Sequence, residues 1–454
     1  MKYSTKILIV ALLLILPLTS LEAAVFNPNH IISDSEMVDF DSFNLEAIQK
    51  FLESKTGTLK DYIAPDKDDL MKKTSLIIYQ VSQKYQINPK YLLTLLQKEQ
   101  SLIDDPVPVQ DQYDWATGYA ICDVCSKSDP TLQRFKGFAQ QIHSAAAQMR
   151  YYLDHPEEFR FVTGQTYDID GHLISPVNIA TASLYNYTPH YHGNLNFWKI
   201  WQGWFAKSYP DGSLLQAEGE PGVWYIQHDL RRPILSWSAL ISRFDPKKII
   251  IVDPSDLQRY DIGLPIKFPE FSLLKSPDNT IYLLVNDQLR PVSSMDVFKT
   301  IGFNLDEVTE VELAEIGRYR LGQPITIKSV YPMGALIQNN QTGGIYYVKD
   351  GFKFPVWSKE IMRSRFKGLS VTAVSPEELD NYITDFPVKF SDGELVTSDQ
   401  TAAVYVISEG KKWPIVSGDV FEKLGYKWEN VITTSQKALD LHPDGELIDI
   451  SISN

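Results

Sequence analysis

The sequence predicts a multidomain protein, in which an all-α N-terminal domain is followed by four small α+β repeats. Up to about residue 207, apolar residues recur every three or four positions, which is the period of amphipathic helices. From residue 211 onward, one pattern of strand, proline and serine positions occurs four times. The chain has 454 residues, of which 44% are hydrophobic, so it is long enough to form several cores.

Residues 1–24 have the composition of an export signal peptide. Lys2 and Lys6 give a basic start, and an apolar run over residues 7–18 is followed by small residues up to Ala24. The apolar run is shorter than the roughly 20 residues that a membrane-spanning helix needs. The alternative to a cleaved signal peptide is an uncleaved membrane anchor. No later stretch is long and apolar enough to span a membrane. We therefore expect a secreted or cell-envelope-associated protein, with no membrane span after the signal.

The charge of the chain limits its partners. The formal net charge is −14, and this argues against nucleic acid, whose phosphates require clusters of Lys and Arg. A neutral or amphipathic ligand such as a glycan suits the charge better. We expect a monomer that needs no cofactor.

The two cysteines, Cys122 and Cys125, are separated by two residues. In an exported protein such a pair is expected to form a small loop disulfide, with free thiols as the alternative. A tetrahedral metal site would need four ligands, and there is no second cysteine pair. The sequence therefore predicts no metal site.

The N-terminal domain, residues 25–207, contains five segments with helical periodicity and long connections over 104–134 and 160–177. The predicted helices are 44–54, 70–85, 89–103, 135–155 and 196–207. Trp198, Trp201 and Trp204 recur at helical spacing in the last of them, where core packing is the simplest interpretation and sugar stacking the alternative.

The repeats span residues 211–267, 269–327, 333–389 and 391–450. Each begins with a predicted β-hairpin that ends at a proline: Pro233, Pro291, Pro355 and Pro414. Three residues later comes a serine that we expect to cap a short helix: Ser236, Ser294, Ser358 and Ser417. An aromatic residue at the end of that helix is expected to pack back on the hairpin: Phe244, Phe303, Phe366 and Tyr426.

Within the N-terminal domain, Glu99 is unusual because it lies on a leucine-rich helix. Asn88 is a suitable N-cap and Pro89 a suitable first residue, and Glu99 then shares the apolar face with Leu95 and Leu102. Burial disfavours the charged form of a carboxyl group, and a protonated carboxylic acid is what a glycosidase uses to protonate a leaving oxygen. The alternatives are an acid paired with an Arg, an acid at the exposed helix end, or a misassigned helix face.

The segment "INPKYLLTLLQKEQSL" resembles the catalytic-glutamate helix of the goose-type lysozyme and soluble lytic transglycosylase superfamily, and "NIATASLYNYTP" (178–189) resembles its later helix with a Tyr-Asn pair. The resemblance covers roughly residues 70–207 and implies a lysozyme-like fold with Glu99 as the general acid/base. It also implies substrate-binding roles for Ser101, Thr117, Gly118, Tyr119, Tyr185 and Asn186. The acid motif departs from the family because Gln100 is inserted, and the family's Gly-Leu-Met-Gln segment is absent.

The resemblance implies cleavage of peptidoglycan at the β-1,4 bond after N-acetylmuramic acid, with the repeats serving for wall targeting or spacing. A lytic transglycosylase needs a single acid, whereas an inverting lysozyme needs a second carboxylate. The candidates for that second acid have no distinguishing spacing: Asp104, Asp105, Asp111, Asp114 and Asp123. Two alternatives remain, a non-catalytic glycan-binding surface protein and an endo-N-acetylglucosaminidase. His190 and His192 follow the Tyr-Asn segment, where sugar contact is a better interpretation than metal binding.

Overall fold

The computed structural model describes residues 26–121 and 126–449. The predicted export signal, Cys122, Cys125 and Asp123 lie outside the described residues. Over the described ranges, none of the helices combines the length and the apolar character that crossing a membrane requires.

The N-terminal region is helical and the C-terminal part is rich in small sheets, as the sequence predicts. The helices of the N-terminal region are α1 (Asp34–Met37), α2 (Leu45–Glu53), α3 (Thr74–Tyr85), α4 (Pro89–Gln100), α5 (Gln110–Asp114), α6 (Pro130–Gln133), α7 (Phe138–Asp154), α8 (Ile179–Tyr187) and α9 (Tyr191–Phe205). A 3-10 turn, Pro156–Glu158, follows α7.

Two short hairpins correct the all-α expectation for this region. The first pairs β1 (Ile63–Pro65) with β2 (Met71–Lys73), and the second pairs β3 (Tyr167–Ile169) with β4 (His172–Ile174). The second hairpin turns at Asp170 and Gly171, whose φ angles are 54° and 84°. An Asp-Gly turn with both φ angles positive matches the twist of two antiparallel strands, and the connection 160–177 therefore contains a hairpin.

Helix α4 is central to the N-terminal core. It packs against α3, α7 and α9, and every residue from Tyr91 to Leu96 is buried. Asn88 caps it as expected, because its side-chain oxygen accepts the Lys90 N–H at 3.0 Å. The helix ends earlier than predicted, at Gln100, because Ser101 adopts a left-handed conformation with φ 56°.

The first three repeats each contain a five-stranded sheet and the fourth contains a four-stranded one. The strands of repeat 1 are β5 (Leu214–Ala217), β6 (Val223–Gln227), β7 (Leu230–Ile234), β8 (Ile250–Val252) and β9 (Asp261–Ile262). Those of repeat 2 are β10 (Leu273–Lys275), β11 (Ile281–Val285), β12 (Gln288–Pro291), β13 (Val308–Glu310) and β14 (Arg320–Leu321). Those of repeat 3 are β15 (Ala335–Asn339), β16 (Ile345–Lys349), β17 (Phe352–Pro355), β18 (Val371–Val374) and β19 (Ile383–Thr384). Those of repeat 4 are β20 (Leu395–Ser398), β21 (Tyr405–Ser408), β22 (Lys411–Pro414) and β23 (Val431–Thr434).

A longer helix follows the third strand of each sheet and a shorter one follows the fourth. The longer helices are α10 (Trp237–Arg243), α12 (Met295–Ile301), α14 (Lys359–Arg365) and α16 (Gly418–Lys423). The shorter ones are α11 (Pro254–Gln258), α13 (Leu313–Ile316), α15 (Pro376–Leu379) and α17 (Gln436–Leu439). In repeat 1 the strand order is β8-β5-β6-β7-β9, so the central hairpin is flanked by strands that return after each helix.

The recurring serines and prolines have the same contacts in all four copies. Each serine side chain accepts an N–H of the first helical turn, and this satisfies a backbone donor that the helix cannot. Each proline carbonyl accepts the N–H of the apolar residue that closes the repeat, at 2.8 to 2.9 Å. The closing aromatics differ: Phe244 and Phe366 pack on hairpin tyrosines, whereas Phe303 and Tyr426 pack on their own helix.

Candidate functional site

Glu99 lies in the last turn of α4, where the buried face of the helix reaches the surface. Its side chain is 25% exposed, and one carboxylate oxygen, Oε1, contacts the ammonium group of Lys98. The side chain of Lys98 is itself only 9% exposed. The structure therefore combines two of the alternatives considered for Glu99, a position near the helix end and a cationic partner, although this partner is a Lys and not an Arg.

Lys98 is held in place by the segment between α8 and α9. Its Nζ donates to the Thr188 hydroxyl at 2.9 Å. The backbone at Gly193 lies so close to Thr188 that a Cβ there would be 2.4 Å from the threonine methyl carbon. The cation beside Glu99 is thus fixed by close packing between α4 and α9.

The second carboxylate oxygen of Glu99 faces Gly118. A Cβ at position 118 would lie 3.0 Å from Oε2, and Gly118 has a φ of 66°. Glycine is the residue that adopts this conformation at least cost, and it also allows the backbone to approach the carboxylate. The loop around Gly118 therefore lies directly beside Glu99.

Gln141 of α7 holds this loop, and sequence reasoning did not identify it. Its Oε1 accepts the backbone N–H groups of Thr117 and Tyr119 at 3.3 and 3.1 Å, and its Nε2 donates to the carbonyls of Tyr119 and Phe135 at 3.2 and 2.8 Å. The side chain is fully buried. A glutamine on the apolar face of a predicted helix was the available signal, because a buried amide must find hydrogen-bond partners.

Helix α8 brings Tyr187 to the site. The Tyr187 hydroxyl donates to the Thr117 carbonyl at 3.1 Å. The pKa of Tyr187 is raised, first by burial and then by the neighbouring Glu99 carboxylate, which disfavours a second negative charge. The hydroxyl of Tyr91 is also buried and has no hydrogen-bond partner among the described residues. Its pKa is raised as well, first by burial and then by Tyr187 and Glu99.

The substrate-binding prediction for Tyr185 is corrected by its burial, whereas Asn186 is partly exposed and its predicted role stays a prediction. Tyr185 is completely buried, and its hydroxyl donates to the Pro28 carbonyl at 3.1 Å. Asn186 accepts the Phe161 N–H at 3.0 Å and donates to the Phe161 carbonyl at 2.8 Å. Both therefore hold the scaffold together. Tyr187 lies two residues further along α8, on a different face, and this turns it toward Glu99.

The other predicted site residues have varied positions. Thr117 is buried and its hydroxyl donates to Gln141 Oε1 at 3.0 Å, so it supports the loop and has no exposed surface for substrate. Ser101 is exposed beyond the end of α4. Tyr119 is partly buried, and its hydroxyl donates to Gln148 Oε1 at 3.3 Å. Tyr119 and Gln148 also line a shallow cavity of about 230 Å³.

The described aspartates that could serve as a second acid are all engaged by neighbouring side chains. Asp104 accepts from Gln97 at 3.2 Å, and Asp105 accepts from Gln112 at 3.0 Å. The pKa of Asp105 is lowered, chiefly by that hydrogen bond. The remaining two form ion pairs, Asp111 with Lys127 and Asp114 with Lys136.

The remaining candidate residues, histidines and tryptophans, lie at the surface or in the core. Among the described residues, the one group with metal-ligand spacing is His155, Glu157 and Glu158, which lies at the surface after α7. His190 contacts Asp170 at 3.4 Å on the exterior. In the last helix, Trp198 and Trp201 are 4% and 2% exposed, and core packing is therefore the correct interpretation for these two.

Comparison with known proteins gives one family match. Residues 24–212 match the family described as LasA, N-terminal domain. This span contains the whole helical region, including Glu99, and the start of repeat 1. The match names neither a lysozyme nor a transglycosylase, so that resemblance remains a prediction. No curated protein matches the chain.

Two solved structures show weak similarity. One is entitled "Structure of the periplasmic assembly from the ESX-5 inner membrane complex, C1 model", with 9% identity over 54% of this chain and 94% of that chain and a TM-score of 0.12. The other is "Structure of an intact ESX-5 inner membrane complex, Composite C3 model", with 10% identity over 54% and 81% of the two chains and the same TM-score of 0.12. Similarity at this level carries no argument about the fold or function of this chain.

Proposed function

We propose that this protein cleaves peptidoglycan strands at the β-1,4 bond after N-acetylmuramic acid, with Glu99 as the acid/base. The observation that carries the proposal is the position of Glu99: a partly shielded carboxylate at the end of a buried helix, with one oxygen facing the backbone of a glycine loop. Shielding from water strengthens the interaction of such a group with a bound sugar.

The proposed reaction begins with protonated Glu99. Its proton passes to the glycosidic oxygen, the C1–O bond breaks, and positive charge develops at the muramic C1. In a lytic transglycosylase, the muramic 6-hydroxyl then attacks C1 and returns its proton to Glu99, which gives a 1,6-anhydro end. We favour this form because it needs no second carboxylate, and the described aspartates are each engaged elsewhere.

The Lys98 contact favours the second candidate, a non-catalytic glycan-binding protein. Lys98 occupies Oε1 of Glu99, one of the two oxygens that could hold the catalytic proton. Under the catalytic proposal, a bound saccharide excludes water from the cleft and Lys98 then pairs with Glu99 only in the ionised stage of the cycle. Under the binding proposal, Lys98 and Glu99 are a permanent structural pair.

Export and the role of the repeats belong to the same proposal. The basic start and apolar run of residues 1–24 support secretion or attachment to the cell envelope. We propose that the lysozyme-like resemblance reflects the fold of the N-terminal region, and that the four repeats space it from the wall or direct it there.

The test is digestion of purified peptidoglycan by the full chain, with mass spectrometry of the released ends. Anhydro-muramic ends identify a transglycosylase, reducing muramic ends a lysozyme, and reducing glucosamine ends a glucosaminidase. Glu99→Gln should reduce release at least about 100-fold, because general acid catalysis contributes 10²–10⁴-fold. Glu53→Gln, at an exposed position on α2, is the matched control and should retain full activity. Intact glycan after treatment with the unmodified protein, together with glycan binding, would establish the non-catalytic alternative.

A further inference from the structure

A cavity lies among the repeats, away from Glu99. It has a volume of about 870 Å³ and is lined by α10 and the following turn of repeat 1, by α14 of repeat 3, and by two segments of repeat 4. A cavity of this size accommodates a small oligosaccharide or a ligand of similar size. Its location at the junction of three repeats means that no single repeat could form it.

Two arginines of α14, Arg363 and Arg365, line this cavity, and neither forms an ion pair within the described part of the chain. The lining also contains five carboxylates: Asp245, Glu360, Asp392, Glu394 and Glu429. Within residues 26–121 and 126–449, Arg363 forms neither an ion pair nor a hydrogen bond. Arg365 donates one hydrogen bond, from Nη1 to the Ser391 hydroxyl at 3.0 Å, and has no ion pair among the described residues. A guanidinium group has five N–H donors in a planar fork, so most donors of Arg365 remain available.

The repeats supply an internal comparison for Arg365. Helices α10 and α14 have the same length and the same serine cap, so Arg243 and Arg365 occupy equivalent positions. Arg243 contacts two carboxylates of the next repeat, Asp287 at 2.7 Å and Glu270 at 3.4 Å. The hairpin turn that provides Asp287 in repeat 2 has Gly410 at the same place in repeat 4. Arg365 therefore has no counterpart of Asp287. Asp392 of repeat 4 occupies the position of Glu270 and acts on the charge of Arg365, but the two form no ion pair among the described residues.

Two acids of the cavity, Glu394 and Asp392, act on the charge of Arg365, but neither forms an ion pair with it among the described residues. Glu394 is 5% exposed and is already neutralised by Lys248, whose Nζ lies 2.5 Å from Oε2, while Ser364 donates to Oε1 at 2.7 Å. Arg365 is exposed. Desolvation lowers its pKa, and the charges of Glu394 and Asp392 oppose this shift.

An aromatic ring lies at the same cavity. Trp237, the first residue of α10, is 65% exposed, and the equivalent residues of the other repeats are Met295, Lys359 and Gly418. An exposed indole therefore is not required by the repeat fold. Aromatic faces pack against the C–H faces of sugar rings, whereas arginines bind carboxylate and phosphate groups bidentately.

We propose that this cavity binds an acidic saccharide, with Arg363 and Arg365 contacting its carboxylate or phosphate group and Trp237 packing on a sugar ring. Carboxylates and phosphates share the planar or forked oxygen arrangement that a guanidinium group recognises. The repeats then have a ligand of their own. This binding is separate from glycan cleavage, because none of the residues that contact Glu99 lines the cavity.

The test is isothermal titration calorimetry of the full chain with three probes: trigalacturonic acid, glucose 6-phosphate and maltotriose. We expect at least one acidic probe to bind, more weakly at high salt, and maltotriose not to bind. Binding of trigalacturonic acid alone assigns the group recognised as a carboxylate, and binding of glucose 6-phosphate alone assigns it as a phosphate. These probes lack the muramic acid bond, so their binding is independent of any cleavage activity.

Variants locate the binding site. Arg365→Gln should raise the Kd for the acidic probe at least about tenfold, since a charge-assisted bidentate contact is lost. Arg365→Lys should give an intermediate Kd, because it keeps the charge and loses the fork. Trp237→Ala should weaken binding of trigalacturonic acid, whereas the exposed Arg320→Gln should not change it. The proposal is overturned if neither acidic probe binds, if maltotriose binds equally well, or if folded Arg365 and Trp237 variants bind as the unmodified chain does.

Discussion

Asp256 of α11 makes the stability of this protein depend on pH in an unusual direction. Asp256 lies where repeat 1 meets the N-terminal region and is only 1% exposed. Its Oδ1 accepts the backbone N–H of Lys207 at 2.6 Å. Its Oδ2 has no hydrogen-bond partner among the described residues. Burial raises the pKa of Asp256 from 3.8 to about 7, which the Lys207 charge opposes and the nearby Asp253 reinforces.

The size of the effect follows from this pKa. Between about pH 4 and pH 7 the folded protein holds a proton on Asp256 that the unfolded chain has lost, so the free energy of unfolding falls as the pH rises. A difference of about three pKa units corresponds to at most about 4 kcal/mol. Asp256→Asn is neutral at every pH and should remove this loss. At pH 8 the variant should therefore be more stable than the unmodified protein.

The assay is urea-induced unfolding of the full chain at intervals from pH 4.5 to pH 8. The unmodified protein should lose stability across this range relative to Asp256→Asn, and the two should converge at the acid end. Asp229→Asn, in an exposed turn of the same repeat, is the control and should follow the unmodified protein. Parallel profiles for Asp256→Asn and the unmodified protein, or a less stable variant at pH 8, would refute the reasoning.

Two further predictions concern the walls of the Glu99 site. Gly118→Ala should abolish most peptidoglycan cleavage and destabilise the fold by about 1 kcal/mol, because alanine is strained at φ 66° and its Cβ would crowd Glu99. Peptidoglycan digestion measures the first effect and thermal unfolding the second. Unchanged cleavage would contradict the assignment of Gly118 to the Glu99 site. Tyr187→Phe should lower cleavage and cost about 1 kcal/mol through the lost hydrogen bond to Thr117, whereas Tyr185→Phe should cost similar stability with unchanged cleavage per folded molecule. Equal activity losses in the two tyrosine variants would contradict the distinction between them.

Local signals in the sequence predict the position of Glu99 well and its surroundings poorly. Asn88, Pro89 and the leucine periodicity are sufficient to place the helix, because capping and burial act within a few residues. The position of Tyr187 near Glu99 depends on how α8 packs in the core, which no local sequence pattern determines. Gln141 is distant in the chain from the loop that it supports, so no local pattern could connect them.

In the repeats, too, the sequence predicts the local features and does not predict the long-range strand pairing. The serine caps and the proline positions recur in sequence and have the same backbone contacts in each copy. The first strand of each sheet, such as β5 and β20, is short and was not part of the predicted pattern. It is recognised only through its pairing with the hairpin and with a strand that follows the helix. Strand pairing over such separations is decided by the fold and not by local propensity.

The junction between the N-terminal region and repeat 1 argues against repeats that act as loosely tethered spacers. Asp253 of repeat 1 accepts both the N–H and the hydroxyl of Ser33 at 2.9 Å, and Gln258 donates to the His30 carbonyl at 3.0 Å. These groups are buried, so separating the two parts would expose or orphan each of them. A chain cut after residue 207 would leave Asp253 and Asp256 without the contacts described above. The N-terminal region and repeat 1 are therefore joined by buried hydrogen bonds as one structural unit.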